Sequence, residues 1–389
     1  MAIRDRLVEY TSTGKKTLLG VGPMSTNIVD VTIELANKYK VPLMLIASRR
    51  QIDSESLGGG YVNNWTTEKY SDYIKKNDPN GQVILARDHG GPWQNESEKR
   101  NCNTLAEAMA SAKRSYEVDI ASNFSVIHID PSIGKNGPVS KSESLKRALD
   151  LYEHCWNYSQ ELGVDIAFEI GTEEQQAGGV ATLDELAEQL NSIQNFCTTS
   201  KIPLPLYVVV QTGTKVMELR NIGTFDSPVR IDGQVPAEIM VPKIVDACKA
   251  SSIFLKQHNT DYLSDNALKA HPYLGIHAAN VAPEFGVAET KGLLKIMDDL
   301  QLRSQRDKFV ELAVNSGKWK KWMLPQSKAD DLERAMICGH YIFSAHEFLE
   351  LKNDINSRLE KKGKNIDHIL KSYVRQSIMR YMTAFRLVR

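Results

Sequence analysis

Short apolar runs recur along the first 300 residues, separated by longer segments in which apolar positions return every three or four residues. The runs are Thr17–Pro23, Pro42–Ser48, Gln82–Gly90, Phe124–Ser132, Asp165–Glu173, Leu204–Gly213, Ile253–Asp261 and Gly275–Pro283. Their continuous apolar character, without alternation, predicts strands buried on both faces, as in a parallel sheet. The intervening segments predict helices. Asn103–Ser115 opens on an Asn/Thr cap, Ser142–Leu162 carries apolar residues at helical spacing, and Thr182–Phe196 begins with a Thr and a Glu three residues later, a capping box. Eight such units predict a (β/α)8 TIM barrel over residues 1–300, with an open doubly wound sheet as the alternative.

Two polar excursions interrupt the beat, Gln51–Asn64 after strand two and Thr214–Val235 after strand six. Segments of this kind act as lids over a site or run as plain surface loops. Beyond residue 300 the strand pattern ends. Residues 301–389 read as a helical C-terminal extension with a Lys318-Trp-Lys-Lys-Trp322 cluster, packed on the barrel or on a neighbouring subunit.

Charge changes the picture only locally. Lys plus Arg and Asp plus Glu are equal at 48 each, which argues against a nucleic-acid binder. The extension nonetheless holds 18 basic against 10 acidic residues, an excess expected to be a solvated face. No apolar stretch reaches the length of a membrane span, and the N-terminus lacks an apolar signal core. Five scattered cysteines without Cys-x-x-Cys spacing suit reduced thiols in a cytoplasmic protein.

A barrel enzyme carries its chemistry at the carboxyl ends of its strands. Here those ends read Arg87-Asp88-His89-Gly90, His128-Ile-Asp130-Pro-Ser132, Glu169-Ile-Gly171-Thr172-Glu173, Gln211-Thr-Gly213-Thr, Lys256-Gln-His258-Asn-Thr260-Asp261 and His277-Ala-Ala-Asn280. Two imidazoles (His89, His258) and a carboxylate (Glu169) from strands three, seven and five would converge, a donor set that suits Zn²⁺ or another divalent metal with an open position. His128 and His277 precede their strand ends and read as structural. Gly59-Gly60 and Gly178-Gly179 are weak phosphate-loop signals, and no dinucleotide, P-loop or nucleophile-elbow sequence is present.

These pieces resemble the accessory (non-catalytic) subunit of class II tagatose-bisphosphate aldolase and, through it, the zinc-dependent ketose-bisphosphate aldolases. The likeness rests on ARDHGGPWQ (86–94), IHIDPS (127–132), FEIGTEEQQAGG (168–179), VVVQTG (208–213), HNTDY (258–262), GIHAANVAPEFGVAET (275–290) and the tail around Trp319–Trp322. It implies a barrel, a divalent metal and a sugar or sugar-phosphate substrate. By resemblance, Asp88 is the acid/base and His89 a metal ligand, His258 is a second imidazole ligand, and Glu169 is a metal or substrate contact. Asp130 lies near the metal and the reacting hydroxyls, and Asn280 holds the substrate carbonyl or enediolate. Gln211, Gly213, Thr260, Lys256 and Arg49 complete the candidate substrate contacts. The chain departs from the aldolases in two places. Gln211 stands where they bring a further His from strand six, and Asn259-Thr260-Asp261 replaces their Gly-Gly-Ser phosphate loop, where an acidic Asp261 would repel phosphate.

Three functions follow as expectations. The first is a metal-dependent aldolase-like lyase acting on a ketose or ketose phosphate. The second is a C4 epimerase that breaks and remakes the same bond. The third is a non-catalytic subunit that stabilises a separate aldolase chain. The resemblance also implies a homo-oligomer, with the basic tail as a candidate interface.

Overall fold

The computed structural model describes residues 2–388 apart from 13–14, 103, 172–179 and 227–234. Eight parallel strands close into a barrel: β1 (Leu18–Val21), β2 (Met44–Ser48), β3 (Ile84–Gly90), β4 (Val126–Ile129), β5 (Ala167–Ile170), β6 (Tyr207–Val209), β7 (Phe254–Gln257) and β8 (Ala278–Val281). Each strand pairs with its sequence neighbours, and β8 pairs with β1 to seal the sheet. All eight strands expected from the apolar runs are present, each shorter than its run. The predicted helices are also present, as Leu105–Ala121, Lys141–Leu162 and Leu183–Ser200, and the Thr182 side chain accepts from the Glu185 amide as a cap should.

Both faces of every strand are covered, which is why the runs do not alternate. The outward residues, among them Leu45, Leu85, Ile127, Phe168, Val208 and Leu255, join the helices in the main core. The inward residues Leu18, Met44, Ile84, Val126, Ala167, Tyr207 and Ala278 form a second cluster inside the barrel, together with Ile3 and Leu7 of the helix Ile3–Ser12. That helix plugs the amino-terminal end of the barrel. Arg4 donates to the carbonyls of Leu204 and Ser252, and the Ile3 amide donates to Asp165. The cavity lined by the strand-end polar residues lies at the opposite, carboxyl end.

Beyond the barrel the helices Arg303–Asn315, Asp331–Cys338 and His346–Glu360 pack around Phe309, Ala335, Phe348 and Ile355. The last helix, Ile366–Ala384, returns to the barrel and buries Val374, Ile378, Tyr381 and Met382 in the main core. Its basic residues meet barrel acids in Lys371–Asp30, Arg375–Glu34 and Arg380–Glu284 ion pairs. Part of the charge asymmetry between tail and barrel is therefore a matched intramolecular interface. Among the described residues, no helix is long and apolar enough to cross a membrane.

Two buried guanidiniums fix the loops at the open end. Arg87 on β3 makes two bonds to Asp119 of the helix Leu105–Ala121, at 2.7 and 2.5 Å, and donates to the carbonyls of Ala47 and Ile52. Both partners of this pair are fully buried. Asp119→Ala should cost about 3–5 kcal/mol in denaturant unfolding, because it strands the Arg87 charge in the interior. A loss below about 1 kcal/mol would show that this pair does not hold the loops.

Candidate functional site at the carboxyl end of the barrel

The inward face of each strand changes character two residues above the apolar layer. Side chains alternate along a strand, so the parity that buries Ile84 and Ala86 carries Asp88 into the barrel. The same count runs from Val126 to His128, from Ala167 to Glu169, from Phe254 to Lys256 and from Ala278 to Asn280. Strand register places His128 opposite Glu169 and Ser48 opposite Asp88.

His89 does not share this parity, since a regular strand would send it to the opposite face from Asp88. The register between β3 and β4 shifts between Arg87 and Gly90, and His89 takes the left-handed conformation at φ 44°. This bulge turns consecutive Asp and His side chains toward one cavity. The polar groups are crowded, and two glycines make room for them. A Cβ on Gly171 would lie 2.6 Å from Nε2 of His128, and one on Gly20 would lie 2.3 Å from Oδ1 of Asn280.

His89, His128 and His258 come together at the mouth, with one ligand atom from each lying within 4.8 Å of the other two. Nδ1 of His89 is bonded to Asp130 at 2.6 Å, and Asp130 also accepts from Ser132 and Gln94. That contact orients the ring and leaves Nε2 as the ligating atom, the carboxylate–imidazole pairing common at metal sites. Nδ1 of His128 accepts from the His89 amide at 3.1 Å and lies 3.6 Å from Asp88. Nε2 of His258 meets Glu169 at 2.8 Å, while the second oxygen of Glu169 accepts from Lys256 at 2.5 Å. The Asn280 amide donates to Asp88 at 3.1 Å.

The electrostatics favour positive charge at the centre of this cluster. Burial alone would lower the His89 pKa, but Asp88 and Asp130 hold it up at about 9. Burial raises the Glu169 pKa, and Lys256, His128 and His258 outweigh it, bringing the group down to about 2. Asp88 is likewise held well below the usual carboxylate range against its burial by the three imidazoles around it. Burial keeps the His258 imidazole on the neutral side of its ordinary value.

These groups line a cavity of about 510 Å³, within the usual range for small-molecule sites. Asp88, His89, His128, Asp130, His258 and Asn280 form its floor. Both polar excursions reach it: Gln51 and Tyr61 from the first, with Arg50 just before it, and Lys215, Val216 and Met217 from the second, whose Val216–Met217 and Arg220–Asn221 segments form a hairpin. Lys321, Trp322 and Tyr341 of the C-terminal extension complete the wall. The hairpin and the extension are joined where the Glu218 amide donates to the Trp322 carbonyl.

Several residues expected at the site lie elsewhere. Arg49 is fully buried and bound to Asp53, Glu98 and the Gly91 carbonyl, so it braces the loops, and its neighbour Arg50 lines the cavity instead. Lys256 is 1% exposed and faces Glu169. Thr260 is fully buried and donates to Gln257. Gln211 and Gly213 also fall outside the lining, and their carbonyls accept from the amides of Ala181 and Phe225 in the adjoining loops. Glu169 stands behind the imidazoles with its two oxygens engaged by Lys256 and His258, and it is not one of the three converging groups.

His128, read from its position as structural, belongs to the cluster, whereas His277 packs on Phe254 near the plugged end. The Asp261 carboxylate accepts from the amides of Ala282 and Glu284 at the start of the helix Pro283–Asp299. Burial and the nearby Glu284 raise its pKa to about 7. Thr172, Glu173 and the Gly178-Gly179 pair lie outside the described residues.

Comparison with known proteins places the fold. The architecture resembles that of a Sinorhizobium meliloti 1021 protein described as a probable tagatose 6 phosphate kinase. That match has a TM-score of 0.70 and 16% identity over 95% of this chain and 100% of the other. A fructose-bisphosphate aldolase from Campylobacter jejuni aligns at a TM-score of 0.56 and 12% identity, over 99% of this chain and 94% of the other. The fold is thus the TIM barrel that these structures share. No protein-family model matches the chain, and no curated protein matches its sequence.

The residues at the mouth fit a divalent metal. Three imidazoles supply the donors, and nearby carboxylates offset an ion's charge. In a tetrahedral zinc site, nitrogens about 2.0–2.1 Å from the ion lie roughly 3.3 Å apart, a modest contraction of the spacing seen here. His128→Ala should weaken zinc binding by more than about 100-fold, and Asp130→Asn by about 10–100-fold through loss of His89 orientation. His277→Ala should leave zinc binding unchanged. Titration of each purified variant with zinc against a competing chelator checks all three, and tight binding by His128→Ala would remove that residue from the ligand set.

Proposed function

We propose that this protein is a metal-dependent enzyme that breaks, and can remake, a carbon–carbon bond of a ketose by retro-aldol chemistry. The observation that carries this reading is the convergence of one ionised carboxylate, Asp88, with three imidazoles and the Asn280 amide on the floor of one cavity. Divalent zinc held by His89, His128 and His258 would supply Lewis-acid polarisation of the ketose carbonyl.

The chain's own residues supply the remaining steps. Asp88 takes the proton of the C4 hydroxyl, the C3–C4 bond breaks, and its electron pair moves onto the ketone fragment as an enediolate. Asn280 stands next to Asp88 and offers its amide to the enediolate oxygen. Asp130 fixes the His89 ring, and the Lys256–Glu169 pair fixes that of His258. Return of the proton from Asp88 to the aldehyde oxygen, as the bond re-forms on the other face of the aldehyde, inverts C4.

A second reading, C4 epimerisation, is favoured by the wall itself. The hairpin and the extension cover the mouth from two sides, which would retain an aldehyde long enough to rotate and re-add. The non-catalytic reading has less support, because an accessory chain has no need to keep Asp88, Asn280 and three imidazoles in one buried constellation.

Fructose 6-phosphate is the first substrate to try, with tagatose 6-phosphate as the epimerase product and trioses as the lyase products. Asp88→Ala should keep its bound zinc and lose turnover by about 10²–10⁴-fold. Full turnover in that variant, or none in the zinc-loaded parent with any ketose or ketose phosphate, would overturn the reading.

A further inference from the structure

We infer that the cavity contains a dedicated anion subsite, built by Arg50 from the loop after β2 and Lys321 from the C-terminal extension, which holds the charged terminus of the substrate. This deepens the retro-aldol reading and rests on it for the identity of the site. Its own support is the charge and pairing of the cavity wall.

The wall carries three cations, Arg50, Lys215 and Lys321, from three different parts of the chain. Among the described residues, no carboxylate forms an ion pair with Lys215 or Lys321. Arg50 has only Glu96 at the 4.0 Å limit, and its Nε is buried without a hydrogen-bond partner. By contrast, the guanidiniums of Arg49, Arg87 and Arg380 each meet a carboxylate. Arg4 and Arg6, which have no carboxylate partner among the described residues, bond instead to backbone carbonyls.

Lys321 is exposed as a residue, yet its ammonium lies 4.7 Å from the Trp322 ring centre and 5.2 Å from that of Tyr341. Those rings fix the ammonium in the wall of the cavity. The enclosure of the ammonium by protein, together with Arg50 and Lys318, lowers the Lys321 pKa to about 7. Like charges pressed together at the rim of a cleft cost stability unless an anion joins them. The carboxylates of the lining are engaged elsewhere, Asp88 and Asp130 with the imidazoles and Asp261 with the amides of Ala282 and Glu284.

The arrangement therefore divides the cavity. The imidazoles, Asp88 and Asn280 form a reacting end, and Arg50 and Lys321 form an anchoring end. The group that suits the anchoring end is a terminal phosphate or carboxylate, either of which accepts charge-assisted hydrogen bonds from a guanidinium and an ammonium.

Calorimetric titration of the zinc-loaded protein with fructose, fructose 6-phosphate and fructose oxidised to a carboxylate at C6 tests the assignment. The charged sugars should bind at least about tenfold more tightly than fructose, since each charge-assisted bond is worth a tenfold factor or more. Arg50→Gln and Lys321→Met should each remove most of that preference while leaving the fructose affinity and the zinc content as they were. The tighter of the two charged sugars identifies the anion. Equal binding of charged and neutral sugars by the parent, or a preference that survives both substitutions, would overturn the subsite. Zinc content and turnover of the same samples report separately on the retro-aldol reading, so failure of one is not mistaken for failure of the other.

Discussion

A hydrophobic barrel that ends in a ring of charge must solve the cost of taking that charge out of water, which runs to several kcal/mol for each unpaired ion. The solution here is mutual. Asp88, Asp130 and Glu169 are each within bonding or ion-pair distance of an imidazole, and Lys256 answers the second oxygen of Glu169. No member of the ring can leave without exposing another, so the ring has one arrangement. The buried Arg49 and Arg87 extend this constraint outward, because they hold the loops after β2 and β3 through their carbonyls. Groups held in this way need little reorganisation when charge develops on a substrate, which is the physical basis of electrostatic catalysis.

The strands were legible because burial on both faces leaves an unmistakable continuous apolar run, and their carboxyl ends were legible because charge terminates each run. What position along the chain could not resolve was direction. His128 lies two residues before Asp130 and reads as interior, but it shares the inward parity of Val126 and stands opposite Glu169. Counting from the apolar layer in steps of two would have found it. Arg49 and Arg50 illustrate the reverse case, since neighbours at the end of a strand face different surroundings, and here the second one reaches the cavity. His89 required a bulge that no spacing rule reveals.

The extension was the least legible part of the site. The Lys318–Trp322 cluster stands out by composition, yet its place in the wall depends on a bond from the Trp322 indole to Tyr341 and on the backbone bond from Glu218 of the hairpin. The basic excess of the tail was expected to be a solvated face. Lys371, Arg375 and Arg380 instead face barrel acids, while Lys321 faces the cavity. One compositional signal thus contains two different uses of charge, docking and ligand contact, and only the surroundings of each residue separate them.

At 12–16% identity the solved barrels share the fold alone with this chain, and a fold constrains where side chains point and not which ones do the chemistry. The resemblance to class II aldolases implies an imidazole from strand six, where this chain has Gln211, outside the cavity lining, and the third converging imidazole comes from β4. Such a move is physically cheap in a closed barrel. The inward residues of neighbouring strands sit at similar heights, so a donor supplied from β4 can reach the same point above the apolar layer as one supplied from β6. What must be kept is the imidazole, its orienting partner and the space to hold it. The third requirement is met at Gly171, where any larger residue would drive its Cβ into the His128 ring.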